Sequence, residues 1–153
     1  MNVVTMTGEA RIGRRYVPDL SGFMAECELN YQRLRKLLAG DSPRRVIRLS
    51  ERHAFIMNIL EQSRYTTTVE LRQTLGESLD WLVVADMTIR LYHDARLAEV
   101  IACTGMKRLR GVYEYPNPWM AHPDEKEQLN QFLGECLREC LRHGYEPAPA
   151  DSA

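Results

Sequence analysis

Residues 64 to 73, RYTTTVELRQ, alternate without a break. Tyr65, Thr67, Val69 and Leu71 fall on one face of an extended strand, and Arg64, Thr66, Thr68, Glu70 and Arg72 on the other. Successive side chains of a strand point to opposite sides. The stretch therefore predicts a sheet packed on one side and polar on the other, which antiparallel sheets tolerate and fully covered parallel sheets do not. Its neighbours extend the pattern. Arg45 to Leu49 predicts a short strand and His53 to Gln62 a longer one. Asp86 to His93 and Arg96 to Cys103 predict a hairpin turning tightly at Asp94 and Ala95. Lys107 to Tyr115 predicts a further strand before Pro116, Asn117 and Pro118, and Leu75 to Ala85 is read as a connection holding Trp81.

On either side of this region the period becomes helical. Leu20, Phe23, Met24, Cys27, Tyr31, Leu34 and Leu38 form one stripe, predicting a helix from Asp19 to Ala39 that Pro18 and Asp19 start and Gly40, Asp41 and Pro43 end. Leu129, Phe132, Leu133, Cys136, Leu137, Cys140 and Leu141 form a second stripe. Pro123 suits its first position, acids occupy its first turns, Arg138, Arg142 and His143 its C-terminal end, and Gly144 the C′ position. Two helices with one face each to bury, and a sheet with one apolar face, predict an α+β fold. An N-terminal and a C-terminal helix cover one face of an antiparallel sheet of about five to six strands. The 153 residues suit one domain. We expect a flexible arm over residues 1–15, the domain over 16–144 and a flexible tail over 145–153.

The balance of charge narrows the function classes. A formal net charge of -1 carries no global field toward nucleic acid or an anionic membrane. The basic clusters at Arg44, Arg45, Arg48 and Arg52, and at Lys107, Arg108 and Arg110, read as solvated faces before they read as phosphate sites. No apolar run approaches the ~18 residues of a membrane span, and the N-terminus has no signal-like apolar segment. The expected compartment is the cytoplasm, where the four cysteines would stay reduced.

Catalytic signatures are sparse. There is no G-x-S-x-G elbow, phosphate-cradling G-x-G-x-x-G, Walker loop or H-E-x-x-H, and no cofactor is expected. Cys136, Cys140 and His143 share a side of the last helix, but both cysteines lie within its leucine stripe, where cysteine acts as a small hydrophobe. Cys103 with His93 is a second thiol–imidazole combination that the chain alone leaves open.

Two polar or aromatic stretches stand out. By alternation Arg90 and Tyr92 share a face with Thr88, and His93 points with Met87, Ile89 and Leu91. One reading makes Asp94 a turn residue and His93 the end of a core-facing row. The other gathers Arg64, Thr66, Thr68, Arg72, Arg90, Tyr92, His93 and Asp94 around an anion or a partner, because arginine offers bidentate hydrogen bonds and tyrosine a rigid contact. The second stretch runs from Tyr113 to Met120, with Tyr115, Asn117 and Trp119 as its candidate contact residues.

The segments SRYTTTVEL, MTIRLYHDARLAEV and YPNPWMAHPDEKEQLNQFL, with YVPDL followed by CELNYQRLRKLL, resemble the YqiB-like proteins, a bacterial family of unknown function. The resemblance spans roughly Tyr16 to Gly144 and brings no catalytic residues with it. Genes of that family often lie near genes for nucleotide-hydrolysing enzymes, among them a cyclic-AMP phosphodiesterase. It thus implies a regulatory protein acting by direct contact with another protein, with such a phosphodiesterase as a candidate partner. The competing expectation is a small enzyme or sensor for a phosphorylated nucleotide. Self-association stays open.

Overall fold

The computed structural model describes residues 20–76, 82–104 and 123–146. In chain order they form α1 (Leu20–Leu37), β1 (Arg44–Ser50), β2 (His53–Gln62), β3 (Thr66–Leu75), β4 (Leu82–Tyr92), β5 (Leu97–Thr104) and α2 (Pro123–His143). The strands make one antiparallel meander in sequence order. The α+β arrangement with two terminal helices is thus the one expected, with five strands among the described residues. The expected strand over 107–115 and the aromatic stretch with Tyr115, Asn117 and Trp119 lie outside them.

Register explains the core. Ile47 faces Phe55, Phe55 faces Gln73, Met57 faces Leu71, Leu71 faces Met87 and Met87 faces Cys103. A second row joins Thr67, Leu91 and Ala98. These side chains share one face, and both helices lie against it. Tyr31 and Leu34 from α1, with Leu129, Leu133, Cys136, Leu137 and Cys140 from α2, close the core. Each large apolar side chain so buried contributes about 1.5–3 kcal/mol.

The alternation in residues 64–73 holds in part: Thr67, Val69 and Leu71 are buried and Glu70 and Arg72 on the other face keep some exposure, but Tyr65 of the first set is exposed and Thr68 of the second is buried. The connection expected over 75–85 overlaps the strands at both ends, since β3 runs to Leu75 and β4 begins at Leu82; residues 77–81 lie outside the described residues. A bulge there sets Thr74 opposite Val83 and Gln73 opposite Ala85, so Val84 is the extra residue and is buried. A bulge shifts the face of every residue beyond it, which is why Val83, Val84 and Ala85 do not read as a strand by alternation.

The helical stripes are narrower than their periodicity suggests. Leu20 is 70% exposed, and Met24 and Leu141 are also exposed, leaving Cys27, Asn30, Tyr31 and Leu34 as the buried residues of α1. Two of the buried helical residues are asparagines. Asn130 accepts the backbone N–H of Val100 on β5 at 3.0 Å and donates to the carbonyl of Lys126 at 2.7 Å. Asn30 donates to the carbonyl of Asn130 at 3.0 Å and accepts from Arg33 at 2.7 Å. This chain joins α1, α2 and β5, and meets the rule that buried polar groups be hydrogen-bonded.

Gly144 also departs from expectation. Its φ is not positive, so it is not the left-handed C′ residue. It is needed for space: a Cβ there would lie 2.4 Å from Cγ2 of Ile47 and 2.5 Å from the carbonyl oxygen of Cys140. That close approach lets the chain leave α2 beside β1, where Tyr145 exchanges both backbone hydrogen bonds with Arg48 at 2.8 and 2.9 Å. Glu146 pairs with Arg45 at 2.5 Å. The segment expected as a free tail thus begins with two residues held on the sheet.

Candidate functional site

The end of the sheet nearest the C-terminus of α1 holds the richest polar arrangement. β4 ends at Tyr92, and the next residue, His93, continues the core-facing row of Met87, Ile89 and Leu91. Its backbone N–H donates to the carbonyl of Tyr65 at 2.8 Å, which ties the β4–β5 turn to the β2–β3 turn. Both ring nitrogens are engaged: Nδ1 lies 2.9 Å from the Tyr31 hydroxyl, and Nε2 lies 2.7 Å from Oγ1 of Thr67. Arg35, one turn after Tyr31, donates to the same hydroxyl at 3.1 Å.

One direction in this network is fixed. A guanidinium can only donate, so the Tyr31 oxygen accepts from Arg35. His93 joins the Tyr31 and Thr67 hydroxyls, the direction of each bond being set by the ring tautomer, and Thr67 and His93 border a space outside the core. That space is a cleft of about 640 Å³. The polar side chains of Arg35, Arg64, Thr67 and His93 line it together with the apolar Leu38, Pro43, Ile59 and Leu91. Gly40 allows the chain to turn out of α1 at the cleft's edge with φ of 108°, a region open to glycine at little cost.

Three arginines surround this end, and each stacks on tyrosine. The guanidinium carbons of Arg35 and Arg96 lie 5.8 and 5.7 Å from the centre of the Tyr31 ring, and that of Arg64 lies 5.4 Å from Tyr65. None has a carboxylate partner among the described residues. The ion pairs there are Arg33 with Glu26, Arg45 with Glu146, Arg72 with Glu70 and Asp86, and Lys126 with Glu99. Tyr65 is 57% exposed and Leu60 56%, adding apolar and aromatic surface at the β2–β3 turn.

The residues singled out from the sequence divide between two places. Arg64 and His93 reach the cleft on the helix side. Thr68, Arg72, Arg90 and Tyr92 lie on the opposite face of the sheet, with Thr66 opposite Tyr92 and Thr68 opposite Arg90. The single constellation of the sequence reading does not form. Arg72 is occupied by Glu70 at 3.2 Å and Asp86 at 3.5 Å. Arg90 donates to Thr68 at 3.4 Å. Asp94 is exposed and accepts the backbone N–H of Ala95 at 3.0 Å, so it is a turn residue.

Tyr31, Thr67, Arg35 and Arg96 were missed. Tyr31 sits in an apolar stripe and Thr67 in an apolar row, so both read as core. The signal available was a polar tip at the end of each row: Tyr31 with Arg35 four residues later, and His93 at the end of β4.

Thiol chemistry finds no support. Cys103 is opposite Met87, six residues from His93, or about 20 Å along the strand. Burial pushes the thiols of Cys27, Cys103 and Cys140 up to about 12, so they are not thiolates at neutral pH. Cys136 and Cys140 are buried in the core while His143 is exposed. Among the described residues no cluster of three His, Cys, Asp or Glu side chains could hold a metal ion, and no helix is long and apolar enough to cross a membrane.

The comparison that decides the family covers residues 32–146, which match the model of the family described as "Protein of unknown function (DUF1249)". The chain belongs to that family. It is 40% identical over 138 residues to the "Uncharacterized protein YqiB" of Escherichia coli (strain K12), covering 89% of this chain and 98% of that protein. The same figures hold for the YqiB of Escherichia coli O157:H7. No solved structure matches. The matched span contains the whole sheet and Tyr65, His93 and the three arginines; it begins one residue after Tyr31.

Proposed function

We propose that this protein is a non-enzymatic regulator that acts by direct contact with another protein, and that it presents the arginine and tyrosine end of the sheet to an acidic surface. The observation that carries this reading is the set Arg35, Arg64 and Arg96, which lack carboxylate partners among the described residues although ion pairs are formed elsewhere. Arginine and tyrosine are the side chains that most often dominate binding energy at protein interfaces. Complementary charge would speed encounter and select the partner. Binding is favoured over catalysis because His93, the imidazole at this end, has both nitrogens occupied, and burial pushes the thiols of Cys27, Cys103 and Cys140 up, away from the thiolate form.

The first partner to test is a cyclic-nucleotide phosphodiesterase from the same cell, on account of the gene neighbourhood that the family resemblance implies; in this reading the contact is made in the cytoplasm and modulates nucleotide hydrolysis. The experiment measures binding of the purified proteins at low ionic strength and the rate of hydrolysis with and without this chain. A complex is expected, weakened by roughly tenfold or more when Arg64 and Arg96 are both changed to Glu. If the phosphodiesterase does not bind, and capture from lysate recovers the same proteins with the wild type and the doubly reversed variant, the reading is overturned.

A further inference from the structure

We propose that the cleft beside His93 binds a nucleoside monophosphate, its phosphate held between Arg35 and Arg64. The argument begins with size. About 640 Å³ falls within the range of small-molecule pockets, roughly 300–1,000 Å³. It continues with charge. Arg35 and Arg64 both line the cleft, neither has a carboxylate partner among the described residues, and Arg35 spends one donor on Tyr31. A guanidinium has five N–H donors in a planar fork that matches phosphate oxygens. Thr67, which also lines the cleft, places a neutral hydroxyl beside them.

The remaining walls specify what the phosphate is attached to. Leu38, Ile59 and Leu91 add an apolar part to the lining, suited to a flat ring. Asp41 at the edge accepts hydrogen bonds only. Inorganic phosphate would leave the apolar part of the lining wet. A nucleoside monophosphate carries all three complements: the anion, the flat ring, and the N–H and hydroxyl donors of base and sugar. This inference deepens the reading of the arginine end as a recognition surface. It rests on that reading for the freedom of the arginines and not on any protein partner.

Titration calorimetry on the full chain tests it, with adenosine 5′-monophosphate, guanosine 5′-monophosphate, inorganic phosphate and adenosine as probes. At least one nucleotide should bind roughly tenfold or more tightly than both phosphate and adenosine. Arg35→Ala and Arg64→Ala should each weaken it by about tenfold or more. Both side chains are exposed, and an unchanged circular dichroism spectrum and melting temperature would exclude unfolding as the cause. Arg96→Glu, outside the cleft's lining, should weaken nucleotide binding less than Arg64→Ala does. The inference is overturned if neither nucleotide binds, if phosphate alone binds as tightly, or if the two alanine variants bind like the wild type. Loss of the nucleotide with an intact, Arg96-sensitive protein complex would remove this inference and leave the regulatory reading standing.

Discussion

His93 is held by two hydroxyls, and each is replaceable by an isostere. Tyr31→Phe removes the partner of Nδ1 and the acceptor of Arg35 in one step. Because the hydroxyl is buried, the variant should lose about 1–3 kcal/mol of stability, read as a lower urea midpoint with an unchanged slope. A slope change would instead mean that the compactness of the folded or unfolded state had altered. Gly40→Ala tests the neighbouring turn. It places a Cβ on a residue with φ of 108° and within 2.5 Å of the Arg45 guanidinium, whose donor also caps the carbonyl of Ala39. We expect a loss of about 1–2 kcal/mol in the same measurement. A variant as stable as the wild type would show that the turn can relax.

Between elements, the asparagine chain is the polar join of the two helices to β5. Asn130→Leu keeps much of the volume but orphans the Val100 N–H and removes the donor to Lys126. Leaving one buried backbone group unsatisfied costs about 1–3 kcal/mol. The amide of Val100 should also exchange with deuterium markedly faster than those of Val69 or Leu71 at the sheet centre. Equal protection in the variant would show that Val100 finds another acceptor. Gly144→Ala acts at the other seam, between α2 and β1. Its new methyl has backbone and Ile47 as neighbours, so it should destabilise more than Gly40→Ala, where the obstacle is the end of a flexible side chain. Thermal melts of the two variants side by side would check the order.

For the whole molecule, pH acts most visibly through Asp86. Burial, and then the hydrogen bond and charge of Glu70, push its pKa up to about 6 against the opposing pull of Arg72. A carboxyl with a raised folded pKa holds its proton more tightly in the folded chain than in the unfolded one. Its contribution favours folding at low pH, begins to fall above the unfolded value of 3.8 and is lost as the pH rises through about 6. The size is on the order of 1–3 kcal/mol. His53 works the other way: burial lowers its pKa, so its part of the stability is full above the unfolded value of 6.5, begins to fall below it and is lost as the pH falls through the lowered folded value. Asp86→Asn should therefore remove a decline in stability between pH 4 and 6, measured by urea unfolding at stepped pH. An unchanged profile would place the titration elsewhere.

Local periodicity determined much of this protein. The alternation through residues 64–73, the two amphipathic stripes and the turn residues between them specify an antiparallel meander with a helix at each end, because strand and helix periods depend on residues a few positions apart. The sequence also marked Arg64 and His93. Tertiary structure decided which of the polar residues meet. The bulge at Val84 lies among side chains that look like a connection, and no short window reveals an extra residue in a ladder. Asn30, Asn130, Tyr31 and Thr67 acquire their roles from partners 26 to 100 positions away. Arg64 and Arg90 share a parity in the sequence, yet Arg64 precedes β3 and turns to the helix side, so the predicted arginine face splits in two. What brings Arg35 and Arg96 to one tyrosine, and Arg35 and Arg64 to one cleft, is the packing of α1 against the sheet, a contact between surfaces that no spacing along the chain encodes.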